Sequence, residues 1–256
     1  MCCVARLGSP AQPSLPVGEP AAPEHLIAGT VWRLRRPLDL FSRSRGQGLA
    51  SQAAAGRCLR ILAPGEDRLR VRLLEDGYPG WIEADALLGR AVASLPPLLP
   101  RLQSGQIAGR IEQVLGYGLA ALERPNRYLW GGSLGPDYDC SGLVQTAYAA
   151  AGIWLPRDAY LQERFCQPVA VRPGITQLLR PGDLIFFGTA RRCTHVGLHL
   201  GGGRYLHSSG REHGRNGLGI DDLNPHNPDP VARHYRQELR GAGRVTRSHD
   251  GSPLPG

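Results

Sequence analysis

Cys140 follows Asp139 directly and opens the stretch CSGLVQTAYAAAG, in which Leu143, Val144, Ala147, Tyr148 and Ala151 fall on one helical face. Gly152 supplies a stop. A cysteine at a helix N-terminus meets about half a positive charge, which favours thiolate over thiol. The backbone N–H groups beside it can hold an oxyanion. This is the chemistry of a covalent nucleophile, although residue type alone leaves open a buried core thiol, the commoner fate of a lone cysteine.

A nucleophilic thiol needs a base, and HVGLHLGGGRYLHSS at 195–209 offers one. The segment reads as two strands joined by Gly201–Gly203. With those glycines as the loop, Leu200 pairs with Arg204 and His207 lies opposite Gly197. His207 then shares a face with His195 and His199. The diagonal from His195 to His207 is about 7–8 Å at the backbone, a gap two imidazoles can bridge over the bare Gly197. One histidine as base and a second polar group to orient it complete the arrangement. A two-residue loop would place the rings on opposite faces and leave them as surface or structural histidines. His199 lies nearer the turn and reads as structural or solvated. His213, His226, His234 and His249 sit in polar surroundings and read as exposed, and Cys166 and Cys193 as packing thiols.

These residues need a scaffold, and the chain divides in two around proline. Residues 1–23 read as a flexible Pro/Ala tail. From 24 to 93, short apolar stretches alternate with turn signals: Leu69, Val71 and Leu73 alternate with Arg68, Arg70 and Arg72, Asp76-Gly77 is a turn, and Trp81-Ile82 begins another strand. About five strands in this span make a small barrel, and DGYPGWIEADAL resembles the last hairpin of bacterial SH3-like domains. Residues 94–105 form a linker stiffened by proline. Residues 106–240 form the second domain, in which a helix over 107–122 and the Cys140 helix precede antiparallel strands. The class is α+β, a helix carrying the cysteine packed on an antiparallel sheet, preceded by a small barrel. Residues 241–256 read as a second loose tail.

Composition removes several other functions. The 256 residues are 41% hydrophobic, enough for packed cores, and no apolar run reaches the length of a membrane span. The net charge is +8, carried by arginine with no lysine. Those arginines are scattered without interleaved aromatics, so no nucleic-acid partner is expected. The six cysteines form no CxxC pair, and Cys193-x-His195 suits tetrahedral zinc poorly, so neither metal nor cofactor is expected. The N-terminal segment around Cys2 and Cys3 lacks a continuous apolar core, which points to a cytoplasmic protein with no membrane partner. The oligomeric state is not legible.

YLWGG at 128–132, DCSGL at 139–143, RPGDLIFF at 180–187 and HVGLHLGGGRYLH at 195–207 occur in an order and spacing that resembles the NlpC family of papain-like cysteine peptidases. With the barrel, the chain is similar to γ-D-glutamyl-L-diamino acid endopeptidases of the cyanobacterial type. The resemblance implies Cys140 as nucleophile, His195 as general base and His207 as the orienting third member. It also implies that Tyr128 lies near the oxyanion, that Trp130 lines the same wall, and that Asp139 and Ser141 help bind the free amino end of the peptide. By the same resemblance the barrel's Tyr78 closes the site, and Arg157 and Asp158 line the groove. Some relatives carry serine where this chain has Ala159. The implied substrate is a murein peptide with a free N-terminal L-Ala, cut in turnover of wall fragments. Arg157 is a candidate for attracting its carboxylates, and Asp139 and Tyr78 for accepting its amine. An acyltransferase with the same Cys–His chemistry and a non-catalytic wall-binding module are the alternatives.

Overall fold

The computed structural model describes residues 15–65 and 67–252. Alternating inward apolar residues build seven antiparallel strands in the first half: β1 Val31–Leu34, β2 Leu38–Phe41, β3 Leu49–Ala53, β4 Cys58–Ala63, β5 Arg68–Leu73, β6 Pro79–Glu83 and β7 Ala91–Ala93. Their order is β3-β2-β6-β5-β4-β1-β7 around a core that includes Trp32, Leu40, Leu59, Ile61, Val71, Leu73 and Ile82. Seven strands stand where about five are expected. Residues 18–21 also join this unit: Pro20 bridges Val92, and the Ala93 amide donates to the Glu19 carbonyl at 2.8 Å. The expected tail therefore does not extend to residue 23, and its first fourteen residues, with Cys2 and Cys3, lie outside the described ones.

The second half begins with α1 Ser104–Ala108 and α2 Ile111–Leu122. The single helix expected here is broken at Gly109-Arg110, where the Arg110 side chain instead donates to the Ala151 carbonyl at 3.0 Å. A short hairpin, β8 Ser133–Leu134 and β9 Asp137–Tyr138, leads into α3 Cys140–Ala150, followed by α4 Ala159–Phe165. The remaining elements are β10 Gln167–Val169, β11 Leu184–Gly188, β12 Cys193–Gly201, β13 Arg204–Ser209, β14 Gly217–Asp222, α5 Pro230–Gln237 and β15 Leu239–Arg244. Six of these strands form one antiparallel sheet, ordered β10-β15-β11-β12-β13-β14.

Helices cover both faces of that sheet. Val144, Ala147 and Tyr148 of α3 pack with Phe186, Val196 and Leu198 on one side. Val231 and Tyr235 of α5 pack with Ile185, Phe187 and Tyr205 on the other. Because β15 lies inside the sheet, the expectation of a loose segment from 241 is corrected. Ala242, Val245 and His249 are buried, and the His249 amide donates to the Trp154 carbonyl at 2.8 Å. The glycine and arginine content of 240–244 hid a strand whose partners supply the apolar surface.

The two halves meet along β3 and β8. The Gln52 amide donates to Ser133 Oγ at 3.1 Å, and that hydroxyl donates back to the Gln52 carbonyl at 2.9 Å. Gln145 of α3 reaches Asp76 in the barrel at 2.8 Å, so the helix carrying Cys140 is anchored to both halves.

Candidate active site

Cys140 sits at the first position of α3, with Asp139 as N-cap. The Asp139 side chain accepts from the Gly142 amide at 2.7 Å, satisfying one of the open donors of the first turn. Its other oxygen accepts from the Gly131 amide at 2.9 Å, which fixes the YLWGG loop beside the cysteine. Gly131 has a φ of +78°, and a Cβ there would lie 2.8 Å from the Leu49 carbonyl oxygen, so glycine permits both the turn and the approach of the barrel.

Arg157 completes this corner. Its guanidinium meets Asp139 with NH1 at 3.0 Å from Oδ1 and NH2 at 2.7 Å from Oδ2, while NH1 also donates to Ser141 Oγ at 2.9 Å and Nε to Ser51 Oγ at 3.0 Å. Arg157 is 2% exposed. This corrects two expectations. Arg157 is too fully engaged to meet substrate carboxylates, and Asp139 has no oxygen left for a substrate amine. Ser141 is likewise turned into this buried network. The three residues shape the wall and tie it to the barrel.

The histidines lie as the hairpin reading requires, with one difference. Leu198 pairs with Leu206 and His199 with Tyr205, in the expected register, but Gly201 rather than Leu200 faces Arg204 because a bulge absorbs one residue at the turn. His195 Nε2 is 2.8 Å from His207 Nδ1, and His207 Nε2 is 2.7 Å from Asp221 Oδ2. Arg215 in turn donates to Asp221 Oδ1 at 2.9 Å. Gly197 stays bare because a Cβ would lie 2.6 Å from the Tyr205 ring.

Tyr235 of α5 stacks on His195 with centroids 4.1 Å apart, and its hydroxyl shares a 2.8 Å hydrogen bond with that of Ser209. His199 is structural as expected, bonded to the Arg180 carbonyl and the Gly203 amide. His213 and His234 are half-buried and stacked 4.4 Å apart beside Tyr235, not exposed. His249 is buried, as noted.

These groups open onto a cleft of about 730 Å³ between the barrel and the second domain. Tyr78, Tyr128, Trp130, Asp139, Cys140, Ser141, Arg157, Asp158 and His195 all reach it. His207 does not: it is fully buried behind His195. Trp130 stands on the rim, 73% exposed, rather than within the wall. The Val196 amide, next along from His195, is among the groups that favour the charged form of the Cys140 sulfur.

Burial outweighs the helix terminus at this sulfur. Desolvation, with Asp139 adjacent, pushes the Cys140 thiol up to about 12. Burial holds His195 well below the usual imidazole range, and His207 is also lowered despite its bond to Asp221. Burial thus works against the charged forms of both groups and opposes the thiolate that the helix terminus favours. Burial also raises Tyr128, which lies close enough to Cys140 for the sulfur's charge to add to the effect, so its hydroxyl keeps its proton.

Three functional neighbours escaped the sequence reading. Asp221 lies two residues along β14 from Gly219, which faces His207, so strand alternation over GLGIDD could have found it. Arg215 and Tyr235 come from a loop and a distant helix and carry no local signal.

Residues 125–238 match the NlpC/P60 family, and residues 40–87 match the bacterial dipeptidyl-peptidase SH3 domain. A γ-D-glutamyl-L-lysine dipeptidyl-peptidase of Bacillus cereus is 39% identical over 154 residues, covering 58% of this chain and 41% of the relative. A protein of the same name from Bacillus subtilis is 32% identical over 132 residues, covering 50% and 41%. The bifunctional muramidase/DL-endopeptidase CwlT of Bacillus subtilis is 35% identical over 123 residues, covering 46% and 32%. The chain thus spans less than half the length of these relatives. Among solved structures, an NlpC/P60 family protein from Bacillus cereus aligns over 85% of this chain and 64% of its own, at 23% identity and a TM-score of 0.45.

Proposed function

Since residues 125–238 are an NlpC/P60 domain behind a bacterial dipeptidyl-peptidase SH3 domain, we propose that this chain is a cysteine peptidase that hydrolyses the γ-D-glutamyl–diamino acid bond of cell-wall peptides. The observation that supports the proposal is the line from His195 through His207 to Asp221, whose His195 end lines the same cleft as Cys140.

The line also assigns the base nitrogen. Asp221 accepts a hydrogen bond from His207 Nε2–H, so neutral His207 presents Nδ1 as an acceptor. His195 Nε2 then carries the proton it donates to that nitrogen, and His195 Nδ1 is left with a lone pair for the thiol. In the proposed reaction His195 Nδ1 takes the Cys140 proton as the sulfur attacks the γ-carbonyl, then delivers it to the departing amine. Water attacks the resulting thioester with His195 again as base. The Cys140 amide, open at the first turn of α3, and the Tyr128 hydroxyl are donors for the oxyanion.

The barrel supports an exo-acting reading. Tyr78, part-buried with its hydroxyl 3.5 Å from the Ala50 carbonyl, brings the barrel into the same cleft as Asp158. Asp158, rather than Asp139, is then the acceptor for a free L-Ala amine. Such an enzyme would act on released wall peptides in their turnover. Incubation with L-Ala-γ-D-Glu-diaminopimelate, free or N-acetylated, followed by mass spectrometry of the products, tests this. The free peptide should yield L-Ala-γ-D-Glu and diaminopimelate while the blocked one is spared; cleavage of both at equal rates overturns the amine requirement, and cleavage of neither overturns the peptidase reading.

A further inference from the structure

Two arginines reach the cleft, and only one has donors to spare. Arg157 is committed to Asp139, Ser141 and Ser51. Arg192 is exposed on the turn between β11 and β12, three residues before His195. Its Cζ lies 4.1 Å over the Tyr160 ring, a stacking that orients the guanidinium plane and leaves its edge donors free. Among the described residues no carboxylate lies within ion-pair distance of it.

On the acceptor side, Asp158 lines the same cleft as Tyr160 and Arg192, and the Arg192 charge draws Asp158 down against the larger, opposing effect of burial. The cleft wall thus offers one carboxylate, Asp158, and one guanidinium, that of Arg192 laid on the Tyr160 face. In L-Ala-γ-D-Glu the free amine and the α-carboxylate are separated by five bonds, about 5–6 Å. A zwitterionic end of that kind calls for one acidic and one basic group on the same cleft, which Asp158 and Arg192 supply.

We infer that Arg192 is a specificity residue that takes the α-carboxylate of the substrate's D-glutamyl unit, with Asp158 taking the amine next to it. The inference rests on the peptidase reading for its substrate, but binding tests it without turnover. The Cys140→Ala protein is titrated by calorimetry with the L-Ala-γ-D-Glu-diaminopimelate tripeptide, with the same peptide amidated at the α-carboxyl, and with lysine in place of diaminopimelate.

The carboxylate form should bind on the order of 10- to 100-fold more tightly than the amide, as a charge-assisted bond implies. Arg192→Gln in the same background should erase that difference, and Arg192→Lys should restore part of it. The exchange of diaminopimelate for lysine should leave the Arg192→Gln effect unchanged. Three results overturn the assignment: a carboxylate preference that survives Arg192→Gln, an effect that follows the diaminopimelate carboxylate instead, or no binding of either form at millimolar concentration. Cleavage by the wild-type protein is measured separately, so failure of the peptidase reading is seen there rather than in these titrations.

Discussion

Asp221 holds His207 by a 2.7 Å bond to Nε2 at a site where both side chains are buried, and this bond sets which nitrogen of His195 faces the thiol. Asp221→Asn keeps the size of the group but lets its amide present a donor to His207, which scrambles the tautomers along the line. We expect kcat to fall about 10- to 100-fold with KM little changed, as for loss of an orienting partner. Steady-state kinetics on the tripeptide checks this, and a change confined to KM would contradict it.

The pH behaviour follows from burial. Cys140 is pushed up to about 12 and His195 is held well below 6.5. Alkylation of Cys140 by iodoacetamide should therefore keep rising with pH above neutrality, rather than reach the plateau of a standing thiolate–imidazolium pair. Turnover, which needs His195 neutral, should be flat near pH 7 and fall only as pH drops through its lowered value. Rates of alkylation and of peptide cleavage between pH 5 and 10 supply the comparison.

The same groups link stability to pH. Because His195 and His207 have lowered values when folded, the unfolded chain binds more protons below about 6.5. Their contribution to stability is intact above that value and is lost progressively as pH falls toward the folded values. Urea midpoints should be lower at pH 5.5 than at 7.5, and His207→Gln should reduce the difference.

Arg157 is a structural pivot rather than a ligand. Arg157→Met leaves Asp139 buried beside the nucleophile with its guanidinium partner gone, a change that costs about 3–5 kcal/mol for a broken buried pair. Arg157→Lys cannot restore the two-pronged contact or the bond to Ser51. Denaturant unfolding should show a large loss for both, with methionine the worse.

Gly197 tests the register of the hairpin. A Cβ there would lie 2.6 Å from Tyr205 Cδ2, and Tyr205 is buried against His207 and Phe187. Gly197→Ala should cost about 1–3 kcal/mol by overpacking and should lower kcat by shifting the rings. An unaffected urea midpoint would show that the strands can give way there.

How much of this was legible depends on distance along the chain. The Cys140 helix and the pairing of His195 with His207 followed from short-range periodicity and from three glycines, and there the structure differs only by the bulge at Gly201. What escaped was set by tertiary contact. The strand at 239–244 has a glycine-rich sequence whose apolar partners are supplied by β11, and His249 is buried by residues almost a hundred positions away. Tyr235 and Arg215 reach His195 and Asp221 from elements with no pattern linking them to the hairpin. The upward pull on the Cys140 thiol escapes the sequence for a related reason: the helix terminus is visible there, but the desolvation that opposes it is not.

Release of free diaminopimelate from L-Ala-γ-D-Glu-diaminopimelate, compared between the wild-type and Cys140→Ala proteins, addresses the central proposal most directly. The wild-type protein should release it steadily and the alanine variant none above the uncatalysed background. Release by the variant at the wild-type rate would mean that the bond is broken without the Cys140 sulfur.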